Sequence, residues 1–319
     1  MTREHFFVTG ALGCIGTWVV QNLLQEGVEV TVFDLANDVR RWRLLMDDAT
    51  IARVHLVQGD ITQTDTVLNA IEKAGATHII HLAGLQVPFC KANPPLGAAV
   101  NVVGTVNIFE AAKKFKLGPV SYASSMAVHG TPEDYPEMII DQSAALLPHT
   151  HYGVFKQANE GTARIYWWDA GVASIGLRPY IVYGVARDQG MTSSPTKAML
   201  AAAQGESFHI PYGGTAGYQY ADDVAKLFIR CARTPIKGSE VFHIRGSVAK
   251  MSDFVDAIEI AEPAAKGKIT FDDTQLPFPP GQDDSALQAA LGEVNYISLQ
   301  EGVADTIARF KWAIENGRI

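Results

Sequence analysis

The sequence predicts an α/β protein: a doubly wound parallel sheet with a smaller lobe toward its C-terminal end. Three features predict it. Short apolar runs alternate with amphipathic segments from the first residues onward, the rhythm of repeated strand–helix–strand units. The runs are nearly continuous rather than alternating, as strands covered on both faces require. A glycine-rich turn joins the first run to the first helical segment. Residues 6–8 read as a first strand, and 15–26 as a helix with Trp18, Val19 and Leu23 on one face. Strands follow at 28–33, 54–57 and 78–82, with a helical pattern at 64–73. A helix over 100–115 leads to a fifth strand at 119–123, and a sixth follows at 173–177. Right-handed crossovers between such strands give one parallel sheet.

Beyond residue 180 the rhythm changes, and Gly-, Ser- and Pro-rich loops at 188–195, 211–217 and 277–282 separate shorter helices. The expected division is a dinucleotide-binding domain over residues 1–180 and a mainly substrate-binding lobe over 181–319, with segments near 218–245 returning to the main sheet. A chain of 319 residues, 47% hydrophobic, is long enough for both. The last helix, 299–315, carries Val303, Ile307, Phe310 and Ile314 at ordinary packing intervals.

Composition excludes several classes. Glycine and proline, 28 and 15 residues, hold an ordinary share, against a collagen-like or low-complexity chain. The balance of 26 basic to 34 acidic residues gives a net charge of −8 without a basic run, so no nucleic-acid partner is expected. No apolar stretch approaches the roughly 18 residues of a membrane span, and no signal segment opens the chain. Cys14, Cys90 and Cys231 are widely spaced, which suits reduced thiols better than a disulfide framework or a metal site. The expectation is a soluble cytoplasmic protein without a metal.

The first strand ends in Thr9-Gly10-Ala11-Leu12-Gly13-Cys14-Ile15-Gly16, and a helix follows at once. In that context the pattern is a Rossmann-type dinucleotide cradle. Gly10 suits the tight turn, Gly13 lets backbone approach a pyrophosphate, and Gly16 lets helix pack on strand; Leu12, Cys14 and Ile15 complete the cradle. The helix N-terminus offers free N–H groups to the phosphates. Asp34, closing the second strand, can accept from a ribose 2′-hydroxyl and repels a 2′-phosphate, which favours NAD over NADP, although Arg40 and Arg41 lie near. Asp60 and Ile61 follow the third strand, where an acid can bond an adenine amino group. Leu82, Ala83 and Gly84 follow the fourth, small enough for a dinucleotide to pass.

Tyr152 and Lys156 stand at i and i+4, on one helix face. A free phenol, with a pKa of about 10, is a poor base at neutral pH. A neighbouring ammonium, aided by an oxidised nicotinamide, favours the phenolate, and the same lysine can hold the nicotinamide ribose. Ser124 and Ser125, just past the fifth strand, can donate to a substrate oxygen.

These elements, with Asn101-Val102-x-Gly104-Thr105, Leu177-Arg178-Pro179 and Asp222-Asp223-Val224-Ala225, make the chain resemble the extended short-chain dehydrogenase/reductase family over nearly its whole length. The resemblance implies a catalytic triad of Ser125, Tyr152 and Lys156. It also implies that Asn101 sits by the active site, that backbone from Tyr180 to Val182 lies near the nicotinamide amide, and that the chain forms a homodimer. The dimer seam would be a bundle of the 100–115 and 152–170 helices, with Tyr166, Trp167 and Trp168 either in that seam or in the core.

Departures from the family pattern narrow the substrate. Met126-Ala127 replaces the Asp-Glu pair of the sugar-nucleotide dehydratases, and the decarboxylases' glutamate is missing as well. His129 stands where a tyrosine is usual, placing a different polar group near the pocket. Ala216 and Gly217 stand where UDP-sugar enzymes carry a diphosphate-binding arginine. A dry pocket without that cation compensates two phosphates poorly. The expectation is a substrate without a nucleotide: a free sugar, a sugar acid or a small hydroxy acid. Arg178, Arg187 and Lys197 are the cations available to a carboxylate. Gln86, Ser125, His149, Thr192 and Ser193 are candidate lining groups, and Tyr218 and Tyr220 read as packing. Tyr152 would remove a hydroxyl proton as hydride passes to the nicotinamide. If the ketone leaves, the protein is a dehydrogenase; if the ketone turns and takes hydride back, it is an epimerase. A dinucleotide sensor without turnover is the third reading.

Overall fold

The computed structural model describes residues 3–319. Seven parallel strands form the central sheet: β1 His5–Thr9, β2 Glu29–Asp34, β3 His55–Gln58, β4 His78–His81, β5 Val120–Ala123, β6 Ser174–Arg178 and β7 Ser239–His243. Their spatial order is β3-β2-β1-β4-β5-β6-β7. The winding reverses between β1 and β4, the switch point beyond which an α/β sheet opens a crevice. Thr9 pairs with Phe33 on one side and His81 on the other, so Gly10, Asp34 and Leu82 emerge together at the same edge.

The apolar runs make this sheet because both of its faces are covered. Phe6 and Val8 join one core cluster and Phe7 the other, all fully buried. The long helices are α1 Cys14–Gln25, α2 Thr64–Ala74, α3 Gly104–Phe115, α4 His151–Ala170, α5 Ser194–Gln204, α6 Ala221–Arg233, α7 Met251–Ala261 and α8 Leu299–Glu315. α1 packs with α6 on one face; α2, α3 and α4 pack on the other. Helix ends follow from local chemistry. The Thr150 side chain caps α4 by accepting from the Gly153 N–H, and Gly171 ends it in the left-handed region. The cluster on the α1 face runs without a break into α5, α7 and α8.

The six sequence-predicted strands are present; Ser239–His243 pairs with Ser174–Arg178 at one edge of the sheet, and α6 packs on its face. Residues 211–217 do not remain a loop to their end. Thr215–Tyr220 is a strand, parallel to Ile181–Tyr183 and antiparallel to Ser247–Lys250. Gly217 and the Gly213-Gly214 pair before the strand hid a run whose Ala216, Tyr218 and Tyr220 are buried. The expected 100–115 helix is also longer: Pro94–Ala98 is helical, Ala99–Val103 widens into a π turn, and α3 follows. Among the described residues no helix is long and apolar enough to cross a membrane.

Candidate active site

A cleft of about 640 Å³ runs along the carboxyl edge of the sheet, over the β1/β4 switch point. The glycine turn forms its floor. Gly10 has φ +67°, and a Cβ there would lie 2.5 Å from the Ala83 backbone nitrogen, so the turn after β1 closes directly on the loop after β4. At Gly16 a Cβ would lie 2.4 Å from the Ala11 Cα, which is why α1 can start so close under the turn. Leu12, Gly13, Cys14 and Ile15 line the cleft between these contacts. The Leu12 N–H donates to Asp34 Oδ2 at 3.2 Å, fixing the acid on the rim. Burial pushes the Asp34 carboxyl up, opposed by N–H donors from Leu12, Ala36 and Leu35 and by Arg41. Arg41 is committed elsewhere: it binds Asp188 at 2.7 Å and the Leu12 carbonyl at 2.8 Å, and exposed Arg40 stands nearest Asp38 and Asp188. Asp60 lines the cleft while its Oδ1 accepts from the Thr62 N–H and hydroxyl. Ile61, Leu82, Ala83 and Gly84 lie beside it. A backbone cradle that a Cβ would fill, at a helix N-terminus with a carboxylate on its rim, fits a dinucleotide.

α4 brings Tyr152 and Lys156 to the same cleft. Lys156 is 4% exposed; its Nζ donates to the Ala123 carbonyl at 2.7 Å and lies 5.7 Å from the centre of the Tyr152 ring. Burial pushes the Lys156 amine down to about 8, against the opposing influence of Cys90 and Glu160. Burial also holds the Tyr152 phenol above its ordinary value, more than the Ser125 hydroxyl and Arg187 lower it. The sequence reading expects the ammonium, aided by an oxidised nicotinamide, to lower this phenol, and the burial that opposes the phenolate is the cost such a pair has to offset. The two serines part company here. Ser124 lines the cleft, but its buried hydroxyl donates to Glu160. Ser125, in extended backbone, accepts from the Ala127 N–H at 3.1 Å, and its hydroxyl is one of the groups that lower the Tyr152 phenol.

Gln86, Arg187, Thr192, Tyr180 and Val182 also line the cleft. Arg187 Nη2 donates to the Thr192 hydroxyl at 3.2 Å, and its buried Nε has no partner among the described residues. Other sequence-predicted residues lie elsewhere. His149 is outside the cleft, 3.2 Å from Asp134, because the loop before α4 turns it to the surface. Asn101 is buried behind the lining. From the π turn its amide accepts from the Leu85 N–H at 2.7 Å and donates to the Leu85 carbonyl at 2.9 Å, so it shapes the 82–86 loop without lining the cleft. Ser193 is buried against the Gly190 carbonyl, Lys197 is exposed on α5, and Arg178 pairs with Glu160. His129 is buried against His243, away from the pocket. Tyr218 and Tyr220 are packed in the core as read. Tyr166 turns inward onto Phe109, ring centres 5.2 Å apart, and Trp168 is 66% exposed. The sequence reading missed Phe278, which closes the cleft beside Tyr180 from a distant loop and carries no local signal, and it missed Glu160.

The model of the NAD dependent epimerase/dehydratase family matches residues 6–244. The chain is 28% identical to a UDP-glucose 4-epimerase of Mycolicibacterium smegmatis over 318 residues, 95% of this chain and 97% of that one. It is 30% identical to UDP-glucuronate 4-epimerase 4 of Arabidopsis thaliana over 69% of its own length and 52% of the relative's. Among solved structures, the UDP-glucose 4-epimerase of Thermotoga maritima superposes with a TM-score of 0.84 at 20% identity, covering 98% of this chain and all of that one. An L-threonine dehydrogenase from Clostridium difficile superposes at 0.86, also at 20% identity and over the full length of both chains. The two structural likenesses, at this identity, establish a shared fold.

Proposed function

The chain belongs to the NAD-dependent epimerase/dehydratase family, and from that premise we propose that it is an NAD-dependent oxidoreductase acting on a hydroxyl of a non-nucleotide sugar, a sugar acid or a small hydroxy acid. One observation carries the reading: Tyr152, Lys156 and Ser125 share a single cleft with the Gly10–Gly16 turn and Asp34. The residues that would hold NAD are the 12–15 backbone for the pyrophosphate, Asp34 for the adenosine ribose and Lys156 for the nicotinamide ribose. When bound, NAD supplies the hydride acceptor.

The chain's own groups do the rest. The Ser125 hydroxyl orients the substrate hydroxyl, and Tyr152 takes its proton at the phenolic oxygen. Because burial opposes the phenolate, Tyr152 depends on the positive field of Lys156 and Arg187. Residues 1–180 then hold the cofactor, and the 181–319 lobe supplies Arg187 and Thr192 to the substrate. Support for a substrate without a nucleotide comes from the strand Thr215–Tyr220. Ala216 is buried there, and a Cβ at Gly217 would meet the Tyr180 ring at 3.2 Å, so neither place supplies a cation and the space beside Gly217 is already close to the Tyr180 ring. Arg187 is left as the cleft cation, outside Lys156, with no acidic partner among the described residues, which suits a carboxylate.

A second reading, an epimerase that oxidises and re-reduces its substrate, draws support from the M. smegmatis epimerase that the chain matches along its length. Incubation with NAD and a panel of aldoses, uronates, aldonates and small hydroxy acids separates the two. NADH formed in step with oxidised product supports the dehydrogenase; an isomer without net NADH supports the epimerase. No NADH and no isomer from any member refutes both. The same reading places the protein in the cytoplasm as a homodimer. Exposed Val154, Ile165 and Trp168 on one stripe of α4 are the proposed seam, to be tested by light scattering of Trp168→Glu against the parent chain.

A further inference from the structure

α4 presents Tyr152, Lys156 and Glu160 at four-residue intervals, one stripe facing the end of β5. Three consecutive residues leaving β5 meet that stripe. The Ala123 carbonyl accepts from Lys156, the Ser124 hydroxyl donates to Glu160, and the Ser125 hydroxyl acts on the Tyr152 phenol. Two of these contacts belong to the proton-transfer centre. The Glu160 contact has no part in it so far, yet it puts a carboxylate only 8% exposed beneath that centre. Arg178 answers it from the end of β6, with Nε and Nη2 each donating at 2.8 Å to one carboxylate oxygen. Arg178 Nη1 lies 3.0 Å from His243 Nε2, and that nitrogen lies 2.9 Å from His129 Nε2. An ion pair buried this deeply adds little net stability over an apolar replacement of the same volume. Stability therefore does not account for its place on this stripe.

We propose that Glu160 is a positioning residue of the reaction centre: it locks α4 in register with β5, and as the buried carboxylate one turn beyond Lys156 it holds that lysine in its ammonium form, while Arg178 anchors Glu160 through both carboxylate oxygens. The other groups facing Lys156 cannot supply the charge. Cys90, from the helix Val87–Ala92, is a thiol raised by burial. His81 of β4 is held neutral, pushed down to about 3, and Tyr152 is a phenol. At neutral pH Glu160 is the anion in reach, and even with it burial draws the Lys156 amine down.

The proposal rests on Lys156 being the cation of the site, so the test reads the lysine itself and needs no substrate. In the full chain with 13C-labelled lysine, the Cε shift of Lys156 is followed against pH, its signal identified by its loss in Lys156→Met. Glu160→Gln is expected to lower the midpoint by about one pH unit, roughly a tenfold loss of proton affinity. That variant leaves Arg178 buried without a counter-charge, so the double variant Glu160→Gln/Arg178→Met is measured beside it. The double variant is expected to regain the parent's unfolding midpoint and NAD affinity while keeping the lowered lysine midpoint. A lysine midpoint unchanged in the double variant, or restored to the parent's value by it, overturns the proposal. If instead Lys156→Met binds NAD and turns over as the parent does, the role given to Lys156 fails, and the titration still decides Glu160.

Discussion

Replacing Gly10 by alanine tests the cradle at its tightest point. The new Cβ would stand 2.5 Å from the Ala83 nitrogen and 2.7 Å from both the Ala83 Cα and the Leu82 carbonyl carbon, all of them backbone, at a residue whose φ is +67°. Holding alanine in the left-handed region costs about 1–2 kcal/mol. Forcing a methyl into filled space adds about 1–3 kcal/mol. The expected loss is therefore about 2–5 kcal/mol, against a total stability of about 5–15 kcal/mol for a typical domain, so the variant folds but its 82–84 loop moves off the turn. Gly75→Ala is the control. It has φ +59° with nothing within 4 Å of the built Cβ, so it bears the backbone cost alone. Urea unfolding and NAD titration of both variants are the assay. Gly75→Ala should lose about 1–2 kcal/mol and keep its affinity; Gly10→Ala should lose more and bind NAD at least about tenfold more weakly. A Gly10→Ala protein as stable as the control, with the parent's NAD affinity, would refute the account of the turn.

Three further outcomes are expected. Asp34→Ala should narrow the preference for NAD over NADP in paired titrations, because the rim carboxylate that disfavours a 2′-phosphate is gone; an unchanged ratio contradicts its ribose role. Arg187→Gln should raise KM for carboxylate substrates by roughly 10- to 100-fold, the worth of a charged hydrogen bond, and leave neutral sugars little changed; equal effects on both classes contradict the carboxylate assignment. His81, His129 and His243 are held at about 3, about 4 and about 3 by burial, below the ordinary value near 6.5. The unfolded chain takes up those protons first, so stability is full above about pH 6.5 and falls as pH drops toward 4. Urea midpoints measured over that range should decline, and a flat series contradicts the burial of these rings.

The parts of the molecule that are written locally were legible in the sequence. Strands covered on both faces leave continuous apolar runs, and the Gly10–Gly16 turn, Asp34 and the Tyr152–Lys156 pair each lie within one turn or one helix. What failed was decided by tertiary packing. His149 sits one residue before the Thr150 cap, yet the surface loop carries it to Asp134. The bonds of Asn101 to the Leu85 backbone are made from a π turn, and no residue spacing announces that turn. Thr215–Tyr220 looked like a loop because two of its neighbours are glycines, and only pairing with Ile181–Tyr183 makes it a strand. The surroundings of the Tyr152 phenol are likewise only partly visible: the ammonium beside it can be read from the sequence, and the burial that raises it cannot.

Turnover by Tyr152→Phe, measured with saturating NAD on whichever member of the substrate panel the parent chain converts, bears most directly on the chemistry assigned to this cleft. Removing one hydroxyl should cut the rate by at least about a hundredfold while NAD binds as before. A variant that keeps the parent's rate would show that some other group takes the proton.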